Sequence, residues 1–378
     1  MAVIVTVFKA FLSVVYWALK LLPANEKNIV FLSRQSNTLS PDFRMLKSRL
    51  LEKDPKLNIR AVCRRADRGI KAKILFAFAM LKSMYLLATS SVCVLDAYWP
   101  AVSMLKHKDS LTVIQMWHAF GKIKQSGYQT IGREFGRSEK TARLLNMHKG
   151  YDIIIAGGSA WNKFYCASFG TTEDKLRNIG LPRIDILINT EEETKRKVLE
   201  AYPNLNEKPV VLYAPTFRKN QNVDISELVS TFDFEAFNLV VKKHPNQEMT
   251  YSDNDRIFTC PEFSSDEMLT VCDWLVTDYS AIALEGAVLN KKTLYYLFDN
   301  DEYLAKNGVN IDLFREMPGC VFTNGKDLTD SLKSGNYNFD ALNSYRERFL
   351  PSELGSSTDK LADIVLNAAD WRKNDRIH

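Results

Sequence analysis

The stretch CDWLVTDYSAIALEGAVLNKKTLYYLF, residues 272–298, decides how the rest of the chain is read. It opens with "DWLVTD" (273–278), a short, β-branched apolar run ending in polar residues, which predicts a buried strand. "SAIALEGAVLN" follows and predicts a helix, and "TLYYLF" (293–298) predicts a second strand. Strand, helix and strand in succession are the alternation of an open α/β sheet.

Working outward, the same alternation continues in both directions. Upstream lie "PVVLYAP" (209–215), "FNLVVKK" (237–243) and "RIFTC" (256–260). An earlier series comprises "NIVFLS" (28–33), "LNIRAVC" (57–63), "SVCVLDA" (91–97), "LTVIQM" (111–116) and "YDIIIAG" (151–157). Two successive series predict two doubly wound, Rossmann-like domains facing across a cleft. The expected division is a membrane-interface helix at 1–23, an N-terminal domain at 24–187 and a C-terminal domain at 188–378. The boundary falls at "GLPRIDIL" (180–187), followed by the charged helix "TEEETKRKVLEAY"; "STDKLADIVLNAADW" predicts a last amphipathic helix.

The 378 residues are 46% hydrophobic and 25% charged, ordinary values for a globular protein, and too many residues for one core. A net charge of +5 is too small to argue for nucleic acid; it suits an anionic substrate or an anionic membrane surface. Six cysteines, none at zinc-ligand or CxxC spacing, predict a reducing compartment and no disulfide framework.

"MAVIVTVFKAFLSVVYWALKLLP" (1–23) is nearly all apolar, but Lys9 and Lys20 interrupt it. A lysine near the middle is costly for a spanning helix, and the pattern is wrong for a signal peptide. The preferred reading is a helix in the membrane interface, with Tyr16 and Trp17 at headgroup level; a span and a buried core helix are the alternatives. "IKAKILFAFAMLKSMYLLA" (70–88) carries Lys71, Lys73 and Lys82, follows Arg64, Arg65 and Arg68, and reads equally as a second interfacial helix or a core helix.

In open α/β sheets ligands bind beyond the carboxyl ends of the strands, so the residues just after each strand are the candidates. His118 follows "LTVIQM" and precedes a basic loop with Gly121, Lys122, Lys124 and Gly127. Flexible backbone plus positive charge suits phosphate, and histidine exchanges a proton near neutral pH; the plainer reading is a histidine capping a strand end. Arg218 ends "APTFR" (214–218), His244 sits in "KKHPN" (242–246) after Lys242 and Lys243, and "TDYSA" (277–281) leads into a helix that Asp278 or Ser280 can cap. Strand alternation sends one of the two lysines to each face. Glu285, about one and a half turns into that helix, reaches a ribose hydroxyl if the helix N-terminus points into the cleft, and is otherwise an ordinary surface glutamate. P-loop, GxGxxG, HExxH and GxSxG patterns are absent, and no carboxylate cluster announces a metal.

"WHAFGKIKQSG", "GLPRID", "VLYAPTFR", "KKHPN", the 272–303 stretch and a late "ELGSSTDKL" occur in that order, and together they resemble the CDP-glycerol glycerophosphotransferase family of wall teichoic acid synthesis. The resemblance covers about residues 111–360. It implies a GT-B-like fold and a peripheral, monotopic enzyme at the cytoplasmic face of the cell membrane. It implies transfer of glycerol phosphate from CDP-glycerol to an undecaprenyl-diphosphate-linked saccharide, with release of CMP. His118 is then the base, and His244 meets the donor pyrophosphate. The donor set expected around it is Thr216, Arg218, Lys243, Thr277, Asp278, Ser280, Ala281 and Glu285, while Gly121, Lys122 and Lys124 form an acceptor or phosphate loop. Ala119, Ala281 and Glu285 depart from the family pattern, which leaves CDP-ribitol open as the donor. A GT-B nucleotide-sugar glycosyltransferase and a non-catalytic membrane scaffold are the rival classes. No cofactor, metal or nucleic acid is expected, a homo-oligomer is allowed, and a length near 380 favours a primase over a long-chain polymerase.

Overall fold

The computed structural model describes residues 2–65, 69–218, 221–244, 247–251 and 254–374. Arg68, and Pro245 and Asn246 of "KKHPN", lie outside the described residues.

Six strands, β1 (Asn25–Ser33), β2 (Asn58–Cys63), β3 (Ser90–Leu95), β4 (Thr112–Gln115), β5 (Ile153–Ala156) and β6 (Leu176–Asn178), form one parallel sheet in the order β2-β1-β3-β4-β5-β6. The second half contains β7 (Val210–Tyr213), β8 (Asn222–Asp224), β9 (Asn238–Val241), β10 (Glu248–Thr250), β11 (Ile257–Phe258), β12 (Trp274–Thr277), β13 (Lys292–Tyr296) and β14 (Val321–Phe322). Six of these make a second parallel sheet, β11-β9-β7-β12-β13-β14, and β8 pairs with β10 alone. Helices cover both faces of each sheet, so the central strands are continuous apolar runs: Val92 to Leu95 and Trp274 to Val276 are buried throughout. Four short strands, β6, β8, β10 and β14, were not anticipated. Each is two or three residues long, and each lies at a sheet edge or outside the main sheets, too short for a period to register.

The order of strands reverses between β1 and β3 in the first sheet and between β7 and β12 in the second. These are the two places where neighbouring loops diverge and a crevice opens. One apolar core runs through both lobes, joined where Trp161 meets Phe349 at 4.5 Å and donates to its carbonyl at 2.9 Å.

The final helix, Ser357–Asn374, returns to the first lobe, although a linear division assigns it to the second. It buries Leu361, Ala362, Val365 and Ala368, and Thr112 Oγ1 of β4 donates to Ala368 O at 3.0 Å. Arg49–Asp359 and Lys53–Asp363 pair on the outside at 2.5 Å each. Such exposed pairs contribute about 0–1 kcal/mol, and burial of one Leu or Val about 1.5–3 kcal/mol, so packing dominates this return.

The first helix, Ala2–Leu19, splits in character. Leu12 and Tyr16 are buried, and Tyr16 Oη is 2.7 Å from His107 Nδ1, so Tyr16 is not the headgroup residue expected. Val7, Phe11, Val14 and Trp17 are exposed. Helix Ile70–Thr89 packs against it, burying Met80, Met84, Leu87 and Ala88 but exposing Ile70, Ile74, Phe78, Leu81 and Tyr85. The core reading holds for the buried face of this helix, and the other face is apolar and exposed. Among the described residues it is the one helix long and apolar enough to cross a membrane.

The buried carboxylate of Asp185 accepts from Ser357 N at 3.1 Å and Thr358 N at 2.7 Å, anchoring the returning helix at its start. Asp185→Ala leaves two N–H groups without an acceptor and is expected to cost about 2 kcal/mol, read by urea unfolding.

Candidate functional site

The carboxyl edges of the two sheets face each other across a cleft of about 630 Å³. The loop after β4 lines one side with His118, Gly121, Lys122 and Lys124. The second lobe contributes Lys243 and His244 after β9, and Ser280, Ala281 and Glu285 after β12. Nine of the thirteen residues singled out in the sequence therefore meet in one place, including both histidines.

His118 is held from behind. Its Nδ1 lies 2.8 Å from the carbonyl of Asp96, at the end of β3, and 3.2 Å from Gln35 Nε2. A carbonyl only accepts, so Nδ1 carries the proton and Nε2 keeps the lone pair of a base. Burial, opposed by the Asp96 bond and aided by Lys122, Arg183 and Lys124, pulls the His118 pKa down to about 4. The imidazole is thus neutral at physiological pH. The Trp117 ring lies tilted against it, centroids 4.3 Å apart, from a left-handed backbone, φ 64°, that a bulky residue rarely adopts.

The loop that follows is bonded to the other lobe. Asn310 donates from its backbone to Ile123 O at 2.8 Å and from its side chain to Lys122 O at 2.7 Å, and Gln125 N donates to Gly308 O at 3.1 Å. Gly121 owes its identity to this closure: a Cβ there would stand 2.4 Å from Leu284 Cδ1 and 2.8 Å from the Trp161 ring. Lys122 is a correction. Its ammonium does not face the cleft; it sits among Trp117 at 4.1 Å, Phe169 at 4.2 Å and Tyr165 at 5.0 Å, bonded to Ser126 Oγ at 2.9 Å and Ser168 Oγ at 3.1 Å. Burial pulls its pKa well down, while the ring faces and hydroxyls favour the cation. Lys122 supports Trp117 and His118 from within. Lys124, its pKa also lowered by burial, remains a cleft residue.

On the second lobe, the His244 ring lies 4.9 Å from Phe217, and desolvation together with Lys124 and Arg65 lowers its pKa. Lys242 and Lys243 both reach the cleft, but only Lys242 is engaged with backbone, donating to Thr259 O at 3.0 Å and Cys260 O at 2.8 Å. That leaves Lys243 as the lysine exposed for an anion. Glu285 is a buried carboxyl, not a surface glutamate; burial first and the Asp266 charge second raise its pKa to about 8, and its Oε2 has no partner.

Four expected donor ligands are corrected. Arg218 is 2% exposed and does not line the cleft; Nη1 bonds Asp278 at 2.7 Å, and Nε and Nη2 bond Asp299 at 2.5 and 2.8 Å. Burial opposes its charge, but Asp278 and Asp299 outweigh it and raise the pKa. Asp278 also accepts from Thr216 N at 2.8 Å, and Thr277 Oγ1 donates to Ala214 O at 2.7 Å. These four residues are a brace beneath the cleft, tying the ends of β7 and β12 together. Neither Asp278 nor Ser280 caps the helix Ile282–Val288; its N-cap is Ala281, with no side-chain bond.

Cleft residues missed in the sequence include Arg183, Asp266 and Tyr279. Arg183 stood in "GLPRID", read there only as a boundary. Its backbone N and its Nε and Nη2 bond Asp42 at 2.8, 2.9 and 2.5 Å, so Asp42, against burial, holds its charge in place. Tyr279 stacks on Tyr303 at 4.2 Å, a pairing between segments that no local pattern signals.

Comparison with known proteins agrees with this architecture. The sequence model of CDP-Glycerol:Poly(glycerophosphate) glycerophosphotransferase matches residues 14–367. The teichoic acid ribitol-phosphate primase of Bacillus spizizenii is 26% identical over 361 residues, 91% of this chain and 92% of that protein. The teichoic acid poly(ribitol-phosphate) polymerase of the same organism is 27% identical over 93% of this chain, which spans only 58% of that longer protein. The teichoic acid glycerol-phosphate primase of Bacillus subtilis is 28% identical over 76% of each chain. Among solved structures, the wall teichoic acid polymerase TagF superposes with a TM-score of 0.71 at 18% identity, over 97% of this chain and 98% of that one, which shows the shared GT-B-like fold.

Two measurements separate brace from ligand. Arg218→Met strands the buried carboxylate of Asp278 and the partly buried one of Asp299 and is expected to lose about 3–5 kcal/mol in urea unfolding; wild-type stability with a raised donor KM would return Arg218 to the ligand set. For Glu285 the folded pKa of about 8 lies above the ordinary 4.5, so the folded state holds the extra proton between those values. Stability should therefore fall as pH rises from about 4.5 to 8, and Glu285→Gln should flatten that slope in pH-dependent unfolding.

Proposed function

The chain belongs to the CDP-glycerol:poly(glycerophosphate) glycerophosphotransferase family, and from that premise we propose that it transfers glycerol phosphate from CDP-glycerol to a lipid-linked saccharide in teichoic acid or related surface-polymer synthesis, releasing CMP. The observation that carries this reading is the meeting of His118 and His244, from opposite lobes, in one cleft with the exposed Lys243.

The acceptor hydroxyl gives its proton to His118 Nε2 as its oxygen attacks the β-phosphorus. The bond from that phosphorus to the bridging oxygen breaks, and the electron pair leaves with CMP. Positioning and charge stabilisation dominate phosphoryl transfer. Lys243 and Lys124 supply positive charge, and a neutral His244 supplies a hydrogen bond to the diphosphate. The Ser280 hydroxyl is placed for a further bond. Glu285 and Asp266, across from Arg183, offer acceptor oxygens for hydroxyl groups of the donor. Transfer of ribitol phosphate from CDP-ribitol is the second reading, supported by likeness to the ribitol-phosphate primase along nearly its whole length.

The exposed apolar faces of helices Ala2–Leu19 and Ile70–Thr89, with Lys71, Lys73 and Lys82 on the latter, support attachment to an anionic membrane surface. A lipid-linked acceptor would be met there.

The deciding experiment incubates the protein with CDP-glycerol and CDP-ribitol separately and a lipid-linked saccharide, following CMP release and the fate of labelled β-phosphate. Label appearing in the product supports polyol-phosphate transfer; label leaving with the nucleotide would indicate a sugar transferase instead. His118→Ala is expected to lose about 10²–10⁴-fold in kcat with an unchanged fold. Because the His118 pKa is near 4, its base form predominates above about pH 5, so wild-type kcat/KM should show no acid limb from this group between pH 5 and 7.

A further inference from the structure

Two arginines lie just outside the cleft without the acids that such groups normally need. Arg34 follows β1 and Arg137 lies on the loop beyond "KQSG"; both flank Tyr98, their guanidinium carbons 6.0 and 5.2 Å from its ring centroid. Arg34 also lies 5.5 Å from the ring of Phe76. Among the described residues neither guanidinium has an ion-pair partner. Arg34 Nη1 donates to Tyr98 O at 3.1 Å, and its Nε is buried with no partner. Burial and the charge of Arg137 both work against the Arg34 cation, yet a guanidinium does not give up its proton in a protein. The faces of Tyr98 and Phe76 favour these cations, but ring faces leave the buried Arg34 Nε without an acceptor, and two like charges flank one tyrosine with no acid between them among the described residues.

Their place in the fold explains it. The crevice between β1 and β3 is the switch point of the first sheet, the position where open α/β sheets bind ligands. Arg34 is next to Gln35, which touches His118, and Tyr98 is two residues past Asp96, whose carbonyl holds His118. On the far side, Phe76 belongs to helix Ile70–Thr89, whose neighbouring Ile74 and Phe78 are exposed. The pair thus stands between the base and an open apolar surface.

We propose that Arg34 and Arg137 form an anion subsite for a phosphate or diphosphate borne on an apolar chain. A guanidinium fork matches phosphate oxygens two at a time, and the exposed side chains around Ile74 and Phe78 suit the chain. Resting on the transferase reading, the site serves to hold the acceptor's lipid end while its hydroxyl reaches His118. The same chemistry is offered by the headgroup of an anionic membrane lipid.

The test uses the full chain, with Arg34→Gln, Arg137→Gln and the double variant, and with Arg34→Lys and Arg137→Lys to keep charge without the fork. Binding of farnesyl diphosphate is read by tryptophan fluorescence and binding of phosphatidylglycerol vesicles by co-sedimentation, with thermal unfolding as the check on folding. Loss of about tenfold in farnesyl diphosphate affinity per arginine, partly restored by lysine and with vesicle binding kept, identifies the acceptor diphosphate as the source. Loss of vesicle binding with farnesyl diphosphate binding kept identifies the lipid headgroup. Equal binding of both probes by wild type and double variant, or no binding of either by wild type, overturns the proposal. Neither readout needs turnover: a wild-type protein that releases no CMP sinks the transferase reading alone.

Discussion

Asn310 reaches from the second lobe to bond the carbonyls of Lys122 and Ile123, while Tyr165 Oη and Ser168 Oγ hold the same loop from its own lobe at the carbonyls of Ala119 and Ser126. Gly121 permits this contact, because any side chain there would collide with Leu284 and Trp161. The base is therefore positioned by both halves at once: Asp96 fixes its tautomer from β3, and Asn310 fixes the loop that carries it. A motion that parts the lobes also disturbs the base, which links closure of the cleft to the readiness of the imidazole.

The charged groups fall into two kinds according to what surrounds them. Arg218 is paired with both Asp278 and Asp299 in a largely buried setting, where a broken pair costs more than the intact pair contributes; their work is to hold strand ends. Lys122 is similarly internal, satisfied by rings and hydroxyls instead of acids. Lys243 is exposed at the cleft, His244 lines it beside Phe217, and His118 is kept neutral by burial. Chemistry at the cleft relies on the second kind, whose geometry depends on the first. Burial decides this sorting, because residue type is the same in both.

The alternating pattern around "DWLVTDYSAIALEGAVLN" and the strand-end positions of His118 and His244 were legible because strand periodicity and the switch-point rule are local or topological. The roles of Arg218 and Lys122 were not: a basic residue after a strand has the same signature whether it meets a ligand or a buried carboxylate. Tyr16 read as interfacial from composition, whereas its hydroxyl reaches His107, ninety-one positions away. Arg183 was in view as part of a boundary motif, and its pairing with Asp42 spans 141 positions.

From its order of residues alone, this chain specified two parallel sheets, the edge on which function sits and the strand-end positions of the two histidines that line the cleft, since each follows from short-range pattern and chain direction. Which cations remain available to a ligand, which carboxyl keeps its proton, and which face of each apolar helix stays bare were settled only when distant segments packed. Those properties depend on desolvation and on partners brought together through space, and neither is written in any single stretch of sequence.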